Sequence, residues 1–147
     1  MSLQTARDWQ AIAELRHRFG RALDERQWSV FDAILEPELD VDLSAFGIAA
    51  ATMPRAQFVA LYQHSFRRPE MKSHQLYANF EISVVGDAAT ATSSLFGRHW
   101  MADFPGGAHF TLHARYHDRL SRASGAWRLA ATRLEVLFTE GNVGLIS

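Results

Sequence analysis

Apolar residues recur at helical spacing through the first part of the chain, then alternate with polar ones to its end. Ile12, Leu15, Phe19, Ala22 and Leu23 share one face, with Arg16, Arg18, Arg21 and Glu25 around them, and predict an amphipathic helix of about five turns. Thr5-Ala6-Arg7-Asp8 offers a capping box at its start. Trp28, Phe31, Ile34 and Leu35 fit a second, shorter helix stopped by Pro37, and Asp40 to Ala45 alternates as a first strand. Ala49 to Thr52 reads as a small-residue connection. Pro54 opens a third helix with Phe58, Leu61, Tyr62 and Ser65 inward, ended by Pro69. Four strands follow, near 74–85, 88–103, 108–122 and 126–139, separated by Gly86-Asp87, Pro105-Gly106-Gly107 and Ser124-Gly125.

Helices first and an antiparallel meander afterwards predict an α+β fold over residues 1–147, one domain. Three N-terminal helices would pack in the concave face of a strongly curved, mostly antiparallel sheet, a cone-shaped α+β barrel. Such a sheet leaves a pocket between itself and the helices.

Composition narrows the chemistry. Lys+Arg 15 against Asp+Glu 16, without a basic run, argues against nucleic acid as a partner. No apolar stretch approaches the ~20 residues of a membrane span, and the N-terminus lacks signal-peptide character, so a soluble, cytoplasmic chain is expected. The absence of cysteine removes disulfides, thiolate metal sites and thiol nucleophiles. No phosphate-cradling glycine loop occurs, and no cofactor is expected. Seven histidines then stand out, four of them between His99 and His117.

Strand parity sorts these histidines. Phe80, Ile82 and Val84 define an inner face that takes in His74, unless a bulge intervenes. Ala89, Ala91, Leu95 and Met101 define another that takes in His99. His109, His113 and His117 share one parity, but four residues of strand span roughly 13 Å, so they cannot converge on one metal. If the hairpin pairs His99 with His113, both point inward; a one-residue slip turns His113 out. Parity leaves that open. Asp24 lies about 150° round an ideal wheel from the Ile12/Phe19 stripe and reaches a pocket only if the helix ends near Leu23. His17 and His64 read as helix-surface residues. No inward strand carboxylate is evident.

The run Ala22-Leu23-Asp24-Glu25-Arg26-Gln27-Trp28 is followed by Val41-Asp42-Leu43-Ser44-Ala45-Phe46 and by Met53-Pro54 with Phe58-Val59. Lys72-Ser73-His74, Leu112-His113, Tyr116, Gly125 to Ala130 and Thr139-Glu140-Gly141-Asn142 come later. This order resembles the scytalone dehydratase group of the SnoaL-like families, within the nuclear transport factor 2-like superfamily. The resemblance implies a catalytic set of Asp24, His74 and His113, with His113 inward and the first helix broken before Asp24. Two departures stand out: family tyrosines are replaced by Leu23 and Leu43, so scytalone itself is not the expected substrate. Phe19 occupies a further position where relatives carry tyrosine. Electrophilic stabilisation then falls to His99, Tyr62, Tyr116 or Arg133.

The expected activity is a cofactor-independent dehydratase or isomerase acting on a hydrophobic cyclic hydroxy-carbonyl compound. Asp24 would orient His113 as one proton carrier, while His74 handles the other transfer. Phe19, Leu23, Trp28, Leu43, Phe58, Tyr62, Leu95, Met101 and Tyr116 are candidate walls. A non-catalytic small-molecule-binding protein and a protein-interaction module are the alternatives, with ketosteroid-isomerase chemistry weaker still. The resemblance also implies a homodimer or homotrimer built through the outer sheet face.

Overall fold

A computed structural model describes residues 1–147. In chain order the elements are α1 (Leu3–Glu25), a 3-10 turn (Trp28–Val30), α2 (Phe31–Ile34), β1 (Leu35–Leu43), β2 (Ile48–Pro54) and α3 (Arg55–Ser65). Then come β3 (Lys72–Val85), β4 (Ala88–Trp100), β5 (His109–Ser121), β6 (Arg128–Gly141) and a closing 3-10 turn (Val143–Ile146). The six strands form one sheet in the order β2-β1-β6-β5-β4-β3. Only the β1–β6 pairing is parallel. The three helices pack against this mixed sheet to give the cone-like α+β architecture. No helix is long and apolar enough to cross a membrane.

Helix α1 holds the sheet through Ile12, Leu15, Phe19, Ala22 and Leu23, all buried. It comes close to β3 at Gly20, where an added Cβ would lie 2.7 Å from the Tyr77 ring. Phe19 meets Phe31 edge-on at 5.0 Å and lies 6.2 Å from Phe58, joining the three helices through one aromatic cluster. The helix starts earlier than the capping box suggests: Ser2 is the N-cap, its side chain accepting from the Thr5 backbone N–H at 3.0 Å.

Three stretches differ from the sequence expectation. The Ala49–Thr52 connection is part of β2, because β1 offers an open edge; Leu39 pairs Met53 and Asp40 pairs Thr52. Pro37 does not stop a helix. It lies inside β1, where the ladder to β6 breaks between Leu35 and Asp40, so the missing N–H costs little there. The second helix is correspondingly short, with Leu35 already in the strand.

Two irregularities decide which side chains face the cone. In β3 the register shifts between Ala78 and Glu81, with Asn79 at φ 52. An extra residue there inverts the parity: Phe80, Ile82 and Val84 face inward beyond it, whereas Ser73, Gln75 and Tyr77 do so before it. Between β4 and β5 an eight-residue connection pairs His99 with Phe110 and Phe96 with His113.

Candidate functional site

The cone encloses a cavity of about 530 Å3, within the range of small-molecule sites. Its walls are built from Leu23 of α1, Leu43 of β1, Leu61 and Tyr62 of α3, Leu95 of β4, Leu112 and Tyr116 of β5 and Leu134 of β6. Val143, Ile146 and Ser147 line the same space from the C-terminal turn. Fourteen of the twenty lining residues are hydrophobic, so the few polar atoms decide how a ligand is oriented.

One polar station is His99, inward on β4 and only 3% exposed. Its ring lies between Phe66 at 5.4 Å and Phe110 at 5.7 Å, and its Nε2 is 3.3 Å from the Gln75 amide nitrogen. Nδ1 is buried without a hydrogen-bond partner. Burial lowers its pKa to about 4, partly opposed by the Phe110 main chain and reinforced by the charge of Arg26. The imidazole is therefore neutral at pH 7. Gln75 is held over Gly97, its cross-strand partner: a Cβ on Gly97 would lie 2.6 Å from the amide oxygen of Gln75.

A second station is a pair of phenols, Tyr62 on α3 and Tyr116 on β5, with hydroxyls 3.0 Å apart; Gln57, His64 and Ser65 of α3 also line the cavity. Burial raises the pKa of both, so both keep their protons. Behind them the Arg16 guanidinium stacks on Tyr116, 3.9 Å from the ring centroid. Arg16 donates from Nε and Nη2 to the Asp118 carboxylate at 2.8 and 2.7 Å, and from Nη2 to Thr132 at 2.7 Å. Burial works against the Arg16 charge, but Asp118 overrides it and the pKa is raised. Sequence reasoning missed this pair and missed Asp118 as an inward strand carboxylate. The signal was present: Arg16 falls on the Ile12/Phe19/Leu23 stripe, and Asp118 shares the parity of Tyr116 and Leu120. Asp118 is engaged by Arg16 and Thr132, so it is no free acid of the ketosteroid-isomerase kind.

Asp24 is half-buried, but α1 does not break before it; the helix runs to Glu25 and ends on Arg26 at φ 53. The Asp24 carboxylate accepts from the Ser73 hydroxyl and the Gln75 backbone N–H, each at 3.0 Å. Burial raises its pKa against those hydrogen bonds. Arg26 adds bonds to the Asp24 and Met71 carbonyls at 2.8 and 2.7 Å. Asp24 thus ties the end of α1 to the start of β3, with no imidazole bonded to it.

The two other expected catalytic residues lie outside the cavity. The Asn79 bulge turns His74 outward, opposite exposed Arg98. The long β4–β5 connection puts His113 on the outer face, stacked on Phe138 at 4.1 Å and beside Phe96 at 4.9 Å. Arg133 also faces out. It lines an outer groove of about 630 Å3, whose charged residues include the Arg119–Asp40 pair at 2.6 Å. Phe19 and Phe58 are fully buried behind the cavity wall rather than in it. Of the expected ligand contacts and walls, Leu23, Leu43, Tyr62, Leu95, His99 and Tyr116 line the cavity, whereas Trp28 and Met101 do not. No trio of His, Asp or Glu side chains is arranged to hold a metal ion.

The matching family model is the SnoaL-like domain, over residues 4–133. The chain belongs to the SnoaL-like family. Kfla4162 of Kribbella flavida has the same fold, with a TM-score of 0.86 at 21% identity, over 97% of this SnoaL-like chain and 98% of its own. A Novosphingobium aromaticivorans structure named "Putative Scytalone Dehydratase" gives 0.83 at 16% identity, over 97% and 92%. A Catenulispora acidiphila protein in complex with S-DNPA gives 0.73 at 17%, over 89% and 94%. At these identities the likeness carries the fold alone. No curated protein matches the sequence.

Proposed function

We propose that this SnoaL-like protein binds a hydrophobic cyclic hydroxy-carbonyl compound and dehydrates or isomerises it without a cofactor, His99 carrying the proton. The observation behind this reading is the buried His99 ring, neutral and unpartnered at Nδ1, on the wall of an apolar cavity. A single imidazole balances the chemistry. It takes the proton α to the carbonyl, leaving an enolate. The imidazolium then gives that proton to the departing β-hydroxyl, releasing water and an enone; where the substrate is instead a β,γ-unsaturated ketone, it gives the proton to the γ-carbon of the dienolate, completing an isomerisation. Such general acid–base work is worth about 10²–10⁴-fold. The name of one fold neighbour, "Putative Scytalone Dehydratase", supports this reading.

The test is turnover of cyclic β-hydroxy ketones, followed by the absorbance of the conjugated enone. His99→Gln is expected to lower kcat by about 10² or more, and His74→Ala and His113→Ala to leave it within about twofold. Wild-type turnover in His99→Gln would end the assignment.

One observation favours a second reading, non-catalytic binding: Asp24 is bonded to Ser73 and Gln75 instead of the expected imidazole. Saturable binding without turnover of any hydroxy ketone would decide for it. Self-association as a homodimer or homotrimer belongs to the same proposal. It is supported by Phe96, Trp100 and Phe138, 38%, 41% and 51% exposed on the outer sheet face, and is checked by light scattering of the eluting protein.

A further inference from the structure

Around Tyr116 the cone carries more hydrogen-bond donors than its own acceptors use. Tyr62 and Tyr116 share one hydrogen bond at 3.0 Å, so whichever phenol donates, the other keeps an O–H to offer. Tyr77 has its ring 5.9 Å from Tyr116, and its buried hydroxyl has no partner. Ser93, directly across the ladder from Tyr116, also has a buried hydroxyl without one. Arg16, 3.9 Å from the Tyr116 ring centroid, spends Nε and Nη2 on Asp118 and Thr132 while Nη1 stays unpaired. Buried donors without acceptors are destabilising unless a ligand or water meets them. They surround Tyr116 with donors, while the cavity itself is lined by Tyr62 and Tyr116 alone among these groups, so a charge-rich ligand oxygen would meet the phenols.

We propose that Tyr62 and Tyr116, backed by the Arg16 guanidinium, form an oxyanion subsite that takes the carbonyl or enolate oxygen of the ligand, or the oxygen of a phenolate. The inference rests on the cavity accepting a hydroxy-carbonyl substrate, and adds where its oxygen sits. Tyr62 and Tyr116 both line the cavity, so a ligand oxygen inside it can accept the O–H that their mutual hydrogen bond leaves free. The cation over the Tyr116 ring offsets the cost of burying phenolate character, which makes that phenol a stronger donor. A chain of two phenols polarises along its length in the same sense. The surrounding wall is apolar, so the donors act at low dielectric, where aimed dipoles are most effective. Arg16 touches no ligand; it is a positioning residue acting through Tyr116.

The test uses 4-nitrophenol, whose phenolate absorbs visibly, and needs no turnover. Bound to the wild-type protein, it is expected to ionise at least about one pH unit below its free value, which is a tenfold preference for the phenolate. Tyr116→Phe and Tyr62→Phe keep ring volume and are each expected to weaken phenolate binding about tenfold and to shrink the shift. Arg16→Met with Asp118→Leu removes the buried pair together and is expected to shrink the shift while neutral-phenol affinity holds. Binding with unshifted ionisation, tyrosine variants within twofold of wild type, or no binding at millimolar 4-nitrophenol would each overturn the proposal. His99-dependent turnover alongside an unshifted phenol would place the carbonyl elsewhere and leave the His99 assignment standing. A shifted, tyrosine-dependent phenol with no turnover would keep the subsite and remove the catalysis.

Discussion

Two buried polar groups sit on the walls of this cone and are treated in opposite ways. Arg16 and Asp118 are both charged, and they are joined by two bonds with Thr132 satisfying a third direction. His99 is nearly as buried, yet it has one amide neighbour at Nε2 and no well-formed hydrogen bond at Nδ1. The difference follows from what each group can do to escape its cost. A guanidinium cannot give up its proton, so burial demands a carboxylate partner. An imidazole meets the same penalty by going neutral, which leaves it free to exchange a proton with a ligand. The paired group carries structure; the unpaired one is available for chemistry.

The most damaging way to break this contrast is to separate the pair. Arg16→Ala should leave Asp118 charged and buried, and destabilise by about 3–5 kcal/mol in urea unfolding. Replacing both, as Arg16→Met with Asp118→Leu, should recover most of that loss. Equal losses in the single and double variants would mean that Arg16 acts through its packing on Phe19 and Tyr116 rather than through charge.

The same contrast predicts a pH dependence assigned to His99. Its folded pKa is about 4, below the unfolded value of 6.5, so the unfolded chain binds more protons between those limits. The contribution is complete above pH 6.5, and is lost as pH falls toward 4, a change of roughly 3 kcal/mol. Asp24 works in the opposite sense. Its pKa is raised, so the native state holds a proton that the unfolded chain releases, and this favours folding at the acid end. Asp40, Asp42 and Glu135 have lowered pKa values, so their contributions fade only on further acidification. His99→Gln should flatten the curve between pH 6.5 and 4; an unchanged curve would reject His99 as its source.

Much of the fold was legible because period and parity report directly on burial. The α1 stripe, the α3 start at Pro54 and the four long strands follow from spacing alone. The site was less legible because parity survives only until a strand is interrupted. Counting back from Phe80 put His74 inside; the Asn79 bulge put Gln75 there instead. The hairpin placed His113 outside for a related reason, since Pro105-Gly106-Gly107 marks a turn without setting the length of the connection around it. His99 came out correctly because β4 has no interruption between Ala89 and Trp100. Arg16 is charged yet lies on the buried α1 stripe, a position that requires a buried partner such as Asp118.

Asn79 makes the bulge testable. At φ 52 it occupies the left-handed region that asparagine and glycine tolerate and β-branched residues avoid. Asn79→Val should cost about 1–2 kcal/mol, whereas Asn79→Gly should be near neutral. Equal stability of the two variants would show that the bulge relaxes and that the parity of Ser73, Gln75 and Tyr77 is not pinned there.

The smallest change bears directly on His99. A Cβ added at Gly97 would fall 2.6 Å from the Gln75 amide oxygen, at the far end of a flexible side chain, so the amide should swing aside rather than the strands separate. Gly97→Ala should therefore leave stability within about 1 kcal/mol. It should also remove the one neighbour of His99 Nε2, and with it the preference for a single ring tautomer. Imidazole nitrogen shifts measured by NMR read this directly. A tautomer ratio unchanged from wild type would show that Gln75 does not orient His99, and that packing between Phe66 and Phe110 alone holds the ring.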